Sequence, residues 1–279
     1  LWVVNVGDLK PMEYPIQFFM DMAWNPDHFN ENNLVQHTEE FCAKLFGEEY
    51  AKEAARLINT YSKYNRRVTP ELLNAKTYSL HNYNEFETVK SDYKELLLDA
   101  LKLNYILPQE TKDTYDQLVL FPISACSNLY EMYYAVAKNT ELAENNDEEP
   151  NQWADLVKAC FIRDSLLTVH YHTDIANEKW NQMMSQTHIG YTYWQQPPSN
   201  VMPDVQYVPV NRSVSLSPVF SEQNKYISIE APNFTRRQNG NASWIIIPDM
   251  GKTFGGVTTT PVTIQPDNPT FLEYDIELI

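Results

Sequence analysis

Residues 1–13 read LWVVNVGDLKPME. Leu1 to Val6 is nearly all apolar and rich in valine, the composition of a strand buried on both faces of a parallel sheet. Gly7 lets the backbone turn or approach a ligand, Asp8 can cap, and Pro11 suits the first turn of a helix running on through Ile16, Phe18, Phe19 and Met22. The order is strand, polar turn, helix. In α/β barrels and open α/β sheets the residues just past the C-terminal strand ends carry the chemistry, so Asn5, Asp8 and Lys10 are candidate substrate-binding residues. The competing reading is a structural corner in which Asp8 caps and Lys10 is solvated.

Beyond this unit the pattern is helical. His28 to Lys63 divides at Gly47 into two amphipathic stretches, an expected helical hairpin. Apolar residues at helical spacing predict further helices from Asn84 to Asn104, from Pro108 past Val136, and from Trp153 on to Trp180 and Met184. Pro122 should kink the second of these by removing its bond to Leu118. Between them, YNRRVTPELLNAKTYSLHNY at 64–83 is a long, aromatic and basic connection, and THIGYTYWQQPPSNVMP at 187–203 leaves the helices as an aromatic, proline-rich strap. Tyr191, Tyr193 and Trp194 there can seal one domain on another or stack on a pyranose face. From Val205 the pattern changes to short β-branched and aromatic runs, among them Tyr207 to Val210, Val214 to Leu216, Tyr226 to Glu230, Trp244 to Ile247, Val257 to Val262 and Phe271 to Leu278.

The fold class predicted is mainly α: a βα unit at 1–27, which a family resemblance makes the terminal βα unit of a (β/α) barrel, an approximately five-helix bundle at 28–196, an extended linker at 197–220 and the start of a β-sandwich at 221–279. A chain of 279 residues accommodates about two domains. With no initiator Met and a buried strand at its start, it is expected to be a piece of a larger protein.

A net charge of -16 argues against nucleic acid and against an anionic membrane surface as partners. The acidic run ELAENNDEE at 141–149 reads as an exposed loop. Cys42, Cys126 and Cys160 have no CxxC spacing and read as buried free thiols. His170 and His172, two apart on a helix, face different ways, and no metal-binding motif occurs, so neither a metal nor a cofactor is expected. No signal peptide or membrane span is visible. Asn211, Asn233 and Asn241 open N-x-S/T sequons.

Several stretches carry a family resemblance. NVGDLKPMEYPIQFFMDMAWNP at 5–26 resembles the last strand and helix of the catalytic barrel in glycoside hydrolase family 115, the xylan α-glucuronidases. YNRRVTPELL at 64–73 and NEKWNQMMSQTHIGYTYWQQPPSNVMP at 177–203 are similar to the same family, and YISIEAPNFTRR with SWIIIPDMGKTFGGV resembles the opening of its C-terminal sandwich. The resemblance implies an inverting enzyme that removes glucuronic or 4-O-methyl-glucuronic acid from xylan, with glucuronoxylan or a related uronic-acid polysaccharide as partner. It also implies a secreted or periplasmic location and allows a homodimer. Inversion needs an acid and a base about 6.5 to 9.5 Å apart, and both are expected upstream of this chain. A uronate needs a cation, and Arg66 and Arg67 can offer a guanidinium fork unless they pair locally with Glu71 or another acid. A non-catalytic helical and sandwich scaffold binding polysaccharide or a partner subunit is the alternative, and another glycosidase specificity on the same fold is a third.

Overall fold

The computed structural model describes residues 2–7, 9–145, 150–193, 195–208, 220–221, 225–248, 250, 255–267 and 269–277. The chain divides into two units, Leu1–Pro209 and Val210–Ile279. In the first unit, helix α1 covers Glu13–Trp24, α2 Leu34–Phe46, α3 Glu48–Asn65, α4 Glu85–Ile106, α5 Gln109–Tyr115, α6 Phe121–Glu144 and α7 Pro150–Thr173. Gly47, with φ +91, ends α2 and lets its own N–H close on Ala43 O at 2.9 Å, so the hairpin expected at this glycine forms. Ala51, Ala54 and Ala55 lie buried on α3, where small side chains let the hairpin partner come close.

Helix α6 is the centre. Fifteen of its 24 residues are buried, which leaves little of it facing water. Tyr130 on α6 stacks on Tyr93 of α4 with ring centroids 4.3 Å apart, and the Tyr93 hydroxyl donates to Asn65 Oδ1 at 2.6 Å. The break expected at Pro122 takes a particular form. A π-helical turn over Asp116–Leu120 comes just before it, so the proline that lacks an N–H enters at the first turn of α6.

Three features of the structure bear on these expectations. Residues 2–7 form no strand, and Trp2 and Val3 are 71% and 84% exposed. A strand needs a neighbour to complete its hydrogen bonds, and none lies beside this segment among the described residues of the first unit. Second, the last helix stops at Thr173 and does not reach Met184. The backbone is left-handed at Ala176, Asn177 and Glu178, and Trp180 and Met184 reach the Phe121–Tyr171–Ile175 cluster from turns. Third, residues 197–208 belong to the first unit and are pinned to it. Leu1, Asp8, part of the 141–149 run, Trp194, Asn211 and the run at 214–216 lie outside the described residues.

The pinning is polar. His188 Nε2 donates to both carboxylate oxygens of Asp164 at 2.8 and 2.9 Å, while Nδ1 lies 3.0 Å from Gln186 O. Asn200 Oδ1 accepts from the backbone N–H groups of His188 and Ile189. Gly190, at φ +101, has Val201 so near that a Cβ would meet Val201 Cβ at 2.9 Å. Further along, fully buried Asn139 donates to Pro150 O and Gln206 O and accepts from Gln206 N, each at 2.8 Å. Asn151 repeats this two-way pairing with Val208.

In the second unit β3 (Ser243–Pro248) pairs antiparallel with β4 (Gly255–Thr260), and β2 (Arg236–Gln238) antiparallel with β5 (Phe271–Glu273). The short β1 (Phe220–Ser221) and β6 (Ile276–Glu277) are parallel. The protein is therefore mainly helical with a small sheet region near its C-terminus. No helix among the described residues is long and apolar enough to cross a membrane.

Two stability outcomes follow from the pinned strap. Asn139→Ala removes three bonds in a dry site, each worth about 0.5 to 1.5 kcal/mol net, and should destabilise the first unit by about 2 to 4 kcal/mol in urea unfolding. Hydrogen exchange at 201–208 should accelerate with it, and protected amides there in the variant would contradict the anchoring. His188 is the pH-dependent anchor. Burial pushes its pKa down, but the hydrogen bond and charge of Asp164 outweigh this and raise it above the ordinary 6.5. The stabilisation is then complete below pH 6.5 and is lost as pH rises through the raised value. The stability gap between wild type and His188→Gln should be wider at pH 6 than at pH 9, and a gap that grows towards pH 9 would reverse the assignment.

Candidate functional site

Two cavities in the first unit meet along Pro11, Tyr61, Pro70 and Glu71, which line both. The larger, about 470 Å3, extends past Tyr14, Asn65 and Val119. The smaller, about 160 Å3, reaches Cys126, Asp164 and His188. Local sequence places each wall. Pro70 opens a 3-10 turn over Pro70–Leu72 after extended Thr69, which turns Glu71 away from the end of α3. Pro11 precedes α1, Pro122 opens α6, and both line the smaller cavity.

Glu71 is the unexplained group of this crevice. Its Oε2 is buried and has no hydrogen-bond partner. Three of the residues around it are prolines, which have no backbone N–H to offer. A carboxylate so placed favours a ligand that donates, such as a sugar hydroxyl. The Cys126 thiol and the Tyr61 hydroxyl nearby stay protonated. Burial, and after it the charge of Glu71, pushes the Cys126 thiol up to about 12, and burial likewise raises Tyr61 far above its ordinary value. Cys126 is therefore no nucleophile at neutral pH. The chemistry left on the walls is a lone carboxylate and, at the far end, the Asp164–His188 pair.

The residues proposed from sequence are not gathered at one point. Asn5 Oδ1 accepts from its neighbour Gly7 N at 3.0 Å on the exposed segment. Asp8 lies outside the described residues. Lys10 is mostly buried; its ammonium pairs with Glu13, which also accepts from Gln117 Nε2 at 2.9 Å, and lies 3.6 Å above the Trp180 ring. Arg67 donates to Asp92 at 2.6 Å and stacks on Tyr64, so its local acid is Asp92 and not Glu71. Arg66 is exposed at the end of α3. His170 bridges Asp116 and Asp174 while His172 accepts from Met184 N, so the two histidines do separate work. No group of metal-binding side chains occurs among the described residues. Glu71 and His188 were not singled out by pattern, although both lie in the stretches 64–73 and 177–203.

Comparison with known proteins gives the context. Residues 1–72 match the model of glycosyl hydrolase family 115, and residues 219–278 match the glycosyl hydrolase family 115 C-terminal domain. No curated protein matches the chain. Among solved structures, a family 115 4-O-methyl-alpha-glucuronidase with specificity for decorated arabinogalactans superposes with a TM-score of 0.55 at 22% identity, over 74% of this chain and 28% of that one. The chain thus spans little more than a quarter of that relative's length, and at this identity the likeness is one of fold. The chain is thus similar to glycosyl hydrolase family 115 at both its beginning and its end.

Proposed function

We propose that the chain is part of an inverting α-glucuronidase that removes glucuronic or 4-O-methyl-glucuronic acid side chains from xylan or a related polysaccharide. The family match at both ends carries this reading, and the printed activity of the solved relative supports it. In this reading residues 1–27 are the last βα unit of a (β/α) barrel, the second unit opens a β-sandwich, and the enzyme acts outside the cytoplasm. The general acid and base are supplied by barrel residues outside this chain, about 6.5 to 9.5 Å apart around a water.

The crevice then contributes binding. Glu71 accepts from hydroxyls of the sugar, which offsets the cost of its unpartnered oxygen. The uronate carboxylate needs the opposite sign, and with Arg67 paired to Asp92, the exposed Arg66 is the guanidinium we assign to it. Asn5, Asp8 and Lys10 are the residues we assign to orienting the sugar.

The stereochemical outcome is tested by following hydrolysis of glucuronoxylan by the full-length enzyme with proton NMR. The β-anomer of the released acid should appear first, and first appearance of the α-anomer would show retention. For the crevice, Glu71→Gln should keep the melting temperature and lower kcat/KM by about ten- to 150-fold, the worth of a hydrogen bond to a charged group. Unchanged kcat/KM would remove Glu71 from the site. Arg66→Met should weaken glucuronic acid binding and spare glucose; equal loss for both sugars would make the arginine structural.

A further inference from the structure

We propose a second sugar site, separate from the crevice, in the groove between α1 and α2, where Trp24 stacks on the face of a neutral pyranose. The choice of polysaccharide rests on the reading above, because a chain bearing uronate branches also has a neutral backbone. The recognition chemistry stands on the groove itself. Its volume is about 520 Å3, within the range of about 300 to 1,000 Å3 usual for ligand pockets.

Trp24 ends α1 and is 91% exposed, so its indole packs on almost nothing within this chain. A single exposed aromatic is ordinary; its surroundings make this one a candidate platform. Phe29, Phe41 and Leu45 line the same groove, together with the planar polar groups of Gln17, Asp21 and Asn25. A pyranose matches both features. Its C–H face lies flat on an aromatic ring, and its equatorial hydroxyls donate to carboxylates and exchange hydrogen bonds with amides. The acceptor is already oriented: Gln17 Nε2 donates to Asp21 Oδ1 at 2.6 Å and His37 Nε2 lies 3.0 Å from Oδ2. Those bonds keep the Asp21 carboxyl below its ordinary range and therefore charged.

Charge decides which sugar fits. Two carboxylates, Asp21 and Glu40, line the groove against the one ammonium of Lys44, so carboxylates outnumber ammonium groups in the lining. A uronate is repelled there and a neutral sugar is not. The two sites would divide the polymer between them, with the branch in the crevice and the backbone on Trp24.

Calorimetric titration of the intact protein with xylotetraose, with a β-linked galactotetraose and with free glucuronic acid tests this. A neutral tetrasaccharide should bind, Trp24→Ala should lower its affinity at least tenfold, and Trp24→Phe should lose less. Glu71→Gln should leave this binding unchanged. Absence of binding by both neutral sugars, or affinity that survives Trp24→Ala, overturns the groove site. The indole is exposed, so loss of fold is not expected, and circular dichroism of the variant checks it. Turnover separates the two readings. If Trp24→Ala raises KM on polymer but leaves release of uronic acid from a small uronosyl-xylose intact, both stand. If the wild type releases no uronic acid from either, the glucuronidase reading fails while the tetrasaccharide titration still judges the groove.

Discussion

Burial of α6 on almost every side governs the rest of the first unit. A helix so enclosed gives only a narrow face to water, and each buried polar group on it must find a partner inside the protein. Asn128 reaches Cys160 O at 2.9 Å, and Asn139 reaches Pro150 and Gln206. Those partners are distant in sequence, so satisfying α6 also fixes where α7 and the strap lie. The entry to α6 works the same way. Asp116 and Gln117, both on the π-helical turn before Pro122, reach His170 and Glu13, and so tie the beginning of α6 to α7 and α1.

Charge gives the crevice its meaning. The chain carries 21 Lys and Arg against 37 Asp and Glu. Several cations are already engaged: Lys10 with Glu13, Arg56 with Glu53 and Asp99, Arg67 with Asp92, Arg163 with Glu131. Most of the excess carboxylates face water, where screening makes a missing partner cheap. Glu71 differs because its Oε2 is shielded from water as well as unpartnered. An acidic surface is a property of composition, whereas a shielded lone carboxylate is a property of a place.

Much of the helical unit was legible because its signals are local. The spacing of Phe86, Val89, Tyr93, Leu96, Ala100 and Leu103 defines α4, and Gly47 divides α2 from α3. What was less legible shares a cause of the opposite kind. Whether Leu1 to Val6 is a strand depends on a neighbouring strand, which the segment itself cannot report. Apolar spacing continues past Thr173, yet those side chains reach the core from turns. Arg67 had Glu71 four residues away and took Asp92, 25 positions on, from α4. His188 and Asp164, 24 apart with no shared motif, meet only because the strap folds back on α7.

Sequence places Pro11 near a helix start and Pro122 as a kink inside a helix, whereas in the structure Pro70 and Pro122 each open a helical turn, the position where a missing N–H costs least. The fold brings all three to one cavity wall, and there the same missing N–H acquires a different consequence. Backbone amides that would otherwise satisfy a nearby carboxylate are absent, so Glu71 keeps an acceptor that the protein does not fill. Only the tertiary arrangement makes these three prolines into a donor-poor wall. The crevice is therefore a product of packing around α6, and the acceptor it holds open is set by what those three residues cannot donate.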